Sequence, residues 1–185
     1  MNKLHALIMA AFCALALAAA AQDTNMLKTD IGVFESRTGL VIIKAFNFVG
    51  AIPVDAVDIS VRYKESTEAA TGVKTYGILI AIQGKPLPHE RIYVDYDEID
   101  SLLDSINCLI KINSDVTTLP AFEASYTTKS GLRIIANSDR RNGTIRNSIQ
   151  YGDEPRIILT SIQMTQLYDY IAVAKKNLDA LKAGK

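Results

Sequence analysis

Apolar and polar residues alternate with a period of two in most of this chain and with a period of three to four in two long stretches. From Ile31 to Val94 the pattern is that of strands. AVDISVRYK is the clearest case, with Val57, Ile59, Val61 and Tyr63 alternating with Asp58, Ser60, Arg62 and Lys64, as a strand with one buried face requires. Before it, VFESRTGLVIIKAFNFVGAI reads as two strands or a hairpin turning at Thr38-Gly39. After it, ESTEAATG reads as a loop and KTYGILIAIQ as a strand with Tyr76, Ile78, Ile80 and Ile82 on one face. Gly84, Pro86 and Pro88 break the chain, and a short strand, RIYV, leads into a helix predicted from about Asp95 to Ile112. Its apolar stripe is Ile99, Leu102, Leu103, Ile106, Leu109 and Ile110.

The second half follows the same plan. FEASYTT, LRIIAN, TIRNSIQY and RIILT read as strands, with turns at Ser130-Gly131, Asn142-Gly143 and Gly152-Asp153-Glu154-Pro155. A helix from about Ser161 to Leu181 then carries Met164, Leu167, Tyr168, Ile171, Ala174, Leu178 and Leu181. An offset of 65 residues lays RIYVDYDEIDSLLDSI on RIILTSIQMTQLYDYI, so Arg91 meets Arg156, Ile99 meets Met164 and Ile106 meets Ile171. Duplication of a four-strand-plus-helix unit explains this match. The fold class expected is therefore α+β: two tandem units of about four antiparallel strands followed by a helix, residues 22–115 and 116–185, sharing one core. The alternative is a closed β-barrel with a C-terminal helix, which would suit a small ligand.

Composition adds a compartment. The chain opens MNKLHALIMAAFCALALAAAAQD, a basic residue, an apolar run and an Ala-Ala-Ala stretch before Gln22, which predicts a signal peptide over residues 1–21. The expected product is exported, periplasmic or extracellular, and no later run is long and apolar enough to anchor it. Lys+Arg and Asp+Glu are equal at 20 each, so no overall field favours nucleic acid or anionic membrane. The halves differ, with 14 acidic and 9 basic residues from Gln22 to Asp115 against 6 and 10 from Val116 onward. That asymmetry fits docking between the halves or a binding face on the second. Beyond the leader only Cys108 remains, so no intrachain disulfide is expected, and the thiol is either buried or able to pair with another chain. Cys108 lies off the stripe of its helix, with Val173 as its repeat counterpart, and the two helices are expected to meet along these second faces and bury it.

The densest acidic stretch, DYDEID at 95–100, raises the question of a metal or a catalytic pair. A calcium loop requires glycine at its sixth place and glutamate at its twelfth, where this chain has Asp100 and Ile106. Alignment with the second unit gives another role. Asp95 falls on Thr160 and Glu98 on Gln163, so both junctions have the spacing of a capping box, with Val94/Ile99 and Leu159/Met164 as hydrophobic staples. No metal and no cofactor is expected. His89 is the one histidine after the leader, no Gly-x-Ser-x-Gly elbow or phosphate loop occurs, and no enzyme activity is expected.

The binding surface indicated by alternation is the second sheet. Phe122, Ala124, Tyr126, Leu132, Ile134, Ile145, Ile149 and Tyr151 facing inward leave Ser125, Thr127, Arg133, Arg146, Ser148 and Gln150 outside, with Arg140 and Arg141 in a nearby turn. Such a face suits a glycan, a polyanion or a protein partner, and dimerisation is compatible with it. The doubled order of four strands then a helix resembles the Whirly-type single-stranded-DNA-binding fold across most of the chain after the leader. The resemblance implies nucleic-acid binding on the sheet faces; the residues that alternation offers for an alternative single-strand binder are Arg133, Arg140, Arg141 and Arg146. The whole chain looks like an exported bacterial protein, and the reading it supports first is an exported non-catalytic binding or structural module.

Overall fold

A computed structural model describes residues 28–84, 90–138 and 143–184. The expected signal peptide, His89, Arg140, Arg141 and the Asn142 side of the Asn-Gly turn lie outside the described residues. The alternating stretches form two four-stranded antiparallel sheets. The first contains β1 (Ile42–Val54), β2 (Val57–Glu68), β3 (Lys74–Gly84) and β4 (Glu90–Asp95), in that spatial order. The second contains β5 (Glu123–Thr127), β6 (Leu132–Ser138), β7 (Ile145–Tyr151) and β8 (Ile157–Leu159), again in sequence order. Neither sheet closes into a barrel, so the barrel alternative is set aside.

Chain order and packing are exchanged between the units. Helix α2 (Ile99–Lys111) follows the first sheet but packs on β5 and β6 of the second. Helix α3 (Ser161–Ala183) follows the second sheet but lies against β1, β2 and β3 of the first, and the two helices pack on each other. One buried cluster therefore runs through both units, from Ile52, Ile59 and Ile80 through Ile99, Leu102 and Ile106 to Ile134, Ile149, Leu167 and Ile171. Gly50 shows how closely α3 seats. A Cβ there would lie 2.5 Å from the Tyr170 ring, so only glycine lets the helix approach β1 at this point. Leu181, placed on the α3 stripe by periodicity, is exposed at a cleft beside Ala45, Asn47 and Tyr63 of the first sheet.

Three local departures from the sequence pattern have physical causes. Residues Asp30–Glu35, expected in strand, form a short helix, which we label α1. Thr29 caps it by accepting from the Gly32 amide, and Ile31 and Phe34 turn one face onto the back of the first sheet, where Ile31 meets Leu79 and Tyr93. Next, the stretch read as a hairpin is instead one 13-residue strand, β1, because the Thr38-Gly39 turn joins α1 to it. Finally, β2 continues to Glu68 through the residues read as a loop.

The attachment of α1 is ionic as well as apolar. Glu35, at its last position, bonds both Lys64 and Ser66 on β2 and pairs with Lys44 at 3.0 Å. Glu35 and Lys64 are almost completely buried. Burial works to raise the Glu35 pKa, but the bonds from Lys64 and Ser66 and the Lys64 charge outweigh it and hold the carboxyl below its ordinary value. Burial also holds Lys64 below its usual value, with the Glu35 bond and charge opposing. Removing one member of such a pair leaves the other buried and uncompensated. Glu35→Ala is therefore expected to lower stability by about 3 kcal/mol in denaturant unfolding. Because the Glu35 pKa is depressed on folding, its contribution is complete above the ordinary carboxylate range and fades as pH falls through and below it. Wild type and Glu35→Gln should thus converge in stability on acidification; curves that stay parallel would remove the ion pair from the account.

Candidate functional site

The DYDEID acids stand where β4 ends, and the structure assigns them other partners than a capping box. Tyr96–Glu98 form a single 3-10 turn ahead of α2, and neither Asp95 nor Glu98 caps that turn or helix through its side chain. Asp95 is buried and accepts instead from the amides of Asp30 and Ile31, at 2.9 and 3.1 Å. It is the anion at the N-terminus of α1, not of α2, a favourable placement against the first-turn amides of that helix. Glu98, also buried, accepts from the Lys129 amide at 2.7 Å in the β5–β6 turn. The expected box at this junction is therefore corrected: long-range amides recruit both acids. At the second junction the local arrangement is present, with Thr160 accepting from the Gln163 amide at 3.2 Å and Gln163 accepting from the Thr160 amide at 2.9 Å.

Carboxylate oxygens of Asp30, Asp95 and Asp97 lie within 4.8 Å of one another, a spacing open to a cation. The Lys129 ammonium already reaches two of the three acids, at 3.4 Å from Asp95 and 3.0 Å from Asp97. Burial works against the charge on Lys129, but the Asp97 bond and the Asp95 and Asp97 charges prevail and raise its pKa. Glu98 moves the opposite way from a paired acid. Burial raises its pKa, the Lys129 amide bond and charge only partly offset this, and Asp95 and Asp97 add to the rise. A cleft of about 210 Å³ opens beside these acids, with Lys74, Lys182 and Tyr96 on its wall. Tyr96 donates to Asp179 at 2.5 Å, and Lys182 stacks on its ring at 3.4 Å, so α3 closes this side.

On the second sheet the structure brings together part of the predicted arginine face. Arg133 donates to Gln150 at 3.3 Å and to Glu123 at 2.9 Å, and Arg156 donates to the other Glu123 oxygen at 2.9 Å. Glu123 is on one edge strand and Arg156 precedes the opposite edge, so the sheet curls enough for them to meet across its middle. Ile135 and Ser148, the central residues beneath, are fully buried. This corrects the expectation that Ser148 faces solvent. Arg146 is exposed on β7, in line with Asn137 and Glu123. Cys108 is exposed, as is Val173, which overturns the buried-thiol expectation. The helices meet through other residues, Lys175 pairing with Asp100 at 3.3 Å.

The most conspicuous surface was not singled out by the sequence pattern. Every residue from Ile43 to Phe48 of β1 is exposed, on both faces of the strand. Register places Lys44, Phe46 and Phe48 on the back of the sheet with Lys64 and Arg62, and Ile43, Ala45 and Asn47 on the other side. Phe46 is 60 % exposed, Phe48 56 % and Ile43 55 %, and the Arg62 guanidinium lies 5.8 Å from the Phe46 ring. The signal available in sequence was the run LVIIKAFNF, with one charge and no proline.

Together these features define an α+β protein of two exchanged sheet-and-helix layers, with an open aromatic edge on one sheet. No family model matches the chain, and no curated protein or solved structure matches it either.

The acid cluster makes a direct test possible. Millimolar calcium should leave the melting temperature of the wild type unchanged, because Lys129 already supplies the cation. In Lys129→Met Asp95 and Asp97 lose that charge, and calcium should then raise the melting temperature by several degrees. Equal calcium responses in both proteins would overturn this account.

Proposed function

We propose that the protein is an exported, non-catalytic binding module whose docking edge is the first half of β1. One observation carries the reading: among the described residues Ile43–Phe48 are exposed on both faces of an edge strand, and they are largely apolar. Soluble proteins protect a long edge strand with charges, proline or a bulge. Here the bulge comes after Phe48, between Phe48 and Gly50, and the proline is Pro53. Lys44 is the one charge within the open segment. A strand that buries little against its own molecule and yet retains two phenylalanines and an isoleucine suits an extended polypeptide added at the edge, with main-chain bonds giving affinity and the aromatic side chains giving selectivity. The non-catalytic part of the reading is supported by the acids themselves, since Asp95, Glu35 and Glu98 each serve as acceptors in the fold. The export part rests on the leader-like N-terminal sequence.

A second reading, binding of a single-stranded nucleic acid or another polyanion to the second sheet, draws on Arg133, Arg146 and Arg156 sharing one face with the single carboxylate of Glu123. Two of these arginines already hold Glu123, which is why the edge of β1 is preferred.

The test uses amide exchange on dilute protein with ten-residue peptides of alternating valine and threonine. Protection is expected at the amides of Lys44, Phe46 and Phe48 and should be lost in Phe46→Glu. Protection confined to the second sheet, or salt-sensitive binding of an oligonucleotide there, would favour the second reading instead.

A further inference from the structure

The open edge of β1 fits one occupant in particular, and this step rests on the reading of that edge as the docking surface. We infer that the occupant is a second copy of this chain, paired β1 to β1 antiparallel about a two-fold axis through Ala45.

The direction of the main-chain groups is fixed by one bond. The Val41 carbonyl accepts from the Ala69 amide, so the amide and carbonyl of Val41 point toward β2. Alternation then turns those of Ile43, Ala45 and Asn47 toward β2, and those of Ile42, Lys44, Phe46 and Phe48 away from it. The regular stretch with outward donors and acceptors runs from Ile42, where β1 begins, to Phe48, where the bulge interrupts the register. Its midpoint is Ala45. A two-fold at that point sets Ile42 opposite Phe48 of the second copy and Lys44 opposite Phe46, and every outward group gains a partner.

Charge and size select this register over its neighbours. A two-fold at Lys44 would oppose two ammonium groups directly, which is unfavourable for a cross-strand pair. A two-fold at Phe46 would run Ile42 into Gly50, across the bulge. With the axis at Ala45 each Lys44 faces an aromatic ring, as Arg62 already does within the chain. Ala45 on the axis becomes a non-hydrogen-bonded pair, the closest approach in an antiparallel ladder, and its small side chain permits that approach. The result is one continuous eight-stranded sheet across the two copies.

Area sets the strength. An aromatic side chain buries on the order of 200 Å², so the exposed parts of Phe46, Phe48, Ile43 and Val41 amount to roughly 400 Å² per copy. The pair then buries at most about 800 Å² of side chain plus main chain, below the roughly 1,200 Å² at the lower end of stable interfaces. The dimer is therefore concentration-dependent and exchanging.

The experiment is sedimentation velocity of the purified protein from low micromolar to high micromolar concentration, with circular dichroism to verify folding. The expected result is a rising dimer fraction for wild type and Phe46→Tyr. Phe46→Pro should remain monomeric, since it removes an outward N–H and leaves the pairing with β2 intact. A second variant reads the register: Ala45→Cys in a Cys108→Ser background should form an oxidised dimer readily at Ala45, while Ile43→Cys in the same background should not. A wild type that stays monomeric throughout, or a dimer unaffected by Phe46→Pro in folded protein, overturns the second-copy assignment. If that monomer still shows peptide protection confined to β1, the docking edge stands and only its occupant is wrong. If β1 is unprotected as well, both fail.

Discussion

The arrangement depends on one constraint: a four-stranded sheet with one apolar face needs a cover, and in this chain each sheet is covered mainly by the helix that follows the other. The stripe of α2 is buried on β5 and β6, and that of α3 on β1, β2 and β3. The apolar clusters of the two units are consequently continuous. Burial of a leucine or isoleucine is worth about 2 kcal/mol, and in this topology that gain is reached only when both sheets are present. Both apolar stripes join that one cluster, and outside it the helices are tied by polar contacts, Lys175 pairing with Asp100 and Tyr96 donating to Asp179.

Asp95 is where local and global requirements diverge. Its side chain belongs by sequence to the start of α2 but in the structure terminates α1, a helix 65 residues earlier. The helix it serves is only six residues long, too short to be stable by propensity alone. Its order derives from three anchors: the Asp95 carboxylate at one end, the Glu35 ion pair at the other, and Ile31 between them over Gly77, where a Cβ would lie 2.7 Å from the Ile31 methyl. The acidic run at 95–100 is thus divided among different tasks. Asp95 holds α1, Glu98 holds the β5–β6 turn, and Asp97 binds the ammonium of Lys129 in that same turn.

The strand and helix periods made the two sheets, their order and both long helices legible in the sequence, because each rests on residues near one another in the chain. Ile59 and Val61 on β2, and Leu102 and Ile106 on α2, are buried as their spacing requires. Non-local facts were not legible. Alternation shows which side chains share a face of β1, but not how little of its first half the other described residues cover. The same limit explains Cys108: its position off the stripe was correct, yet position around a helix does not reveal whether the neighbouring helix reaches that side. Ser148 was misplaced for the opposite reason, since long side chains from two distant strands close over it. At the second junction, where the partners are three residues apart, the box of Thr160 and Gln163 is found where the spacing placed it.

The contrast between the two surfaces follows from how each handles its unpaired groups. The arginine-bearing face of the second sheet is internally compensated, with both oxygens of Glu123 engaged by Arg133 and Arg156 and the sheet curled over its own centre. A ligand there must displace ion pairs that already exist, and it gains little apolar area. The first half of β1 has less to displace, since the Lys44–Glu35 pair and the Asn47–Tyr63 bond are side-chain contacts that leave its outward main-chain groups open. Its outward amides and carbonyls exchange water for protein partners at little net energetic change, so the favourable term is the removal of Phe46, Phe48 and Ile43 from solvent. That term is nondirectional, whereas the ladder fixes direction and register. On the proposed reading, an edge combining both properties, and lacking a bulge or proline within its open segment, would select partners that are extended, apolar on alternate residues and free to approach along the strand.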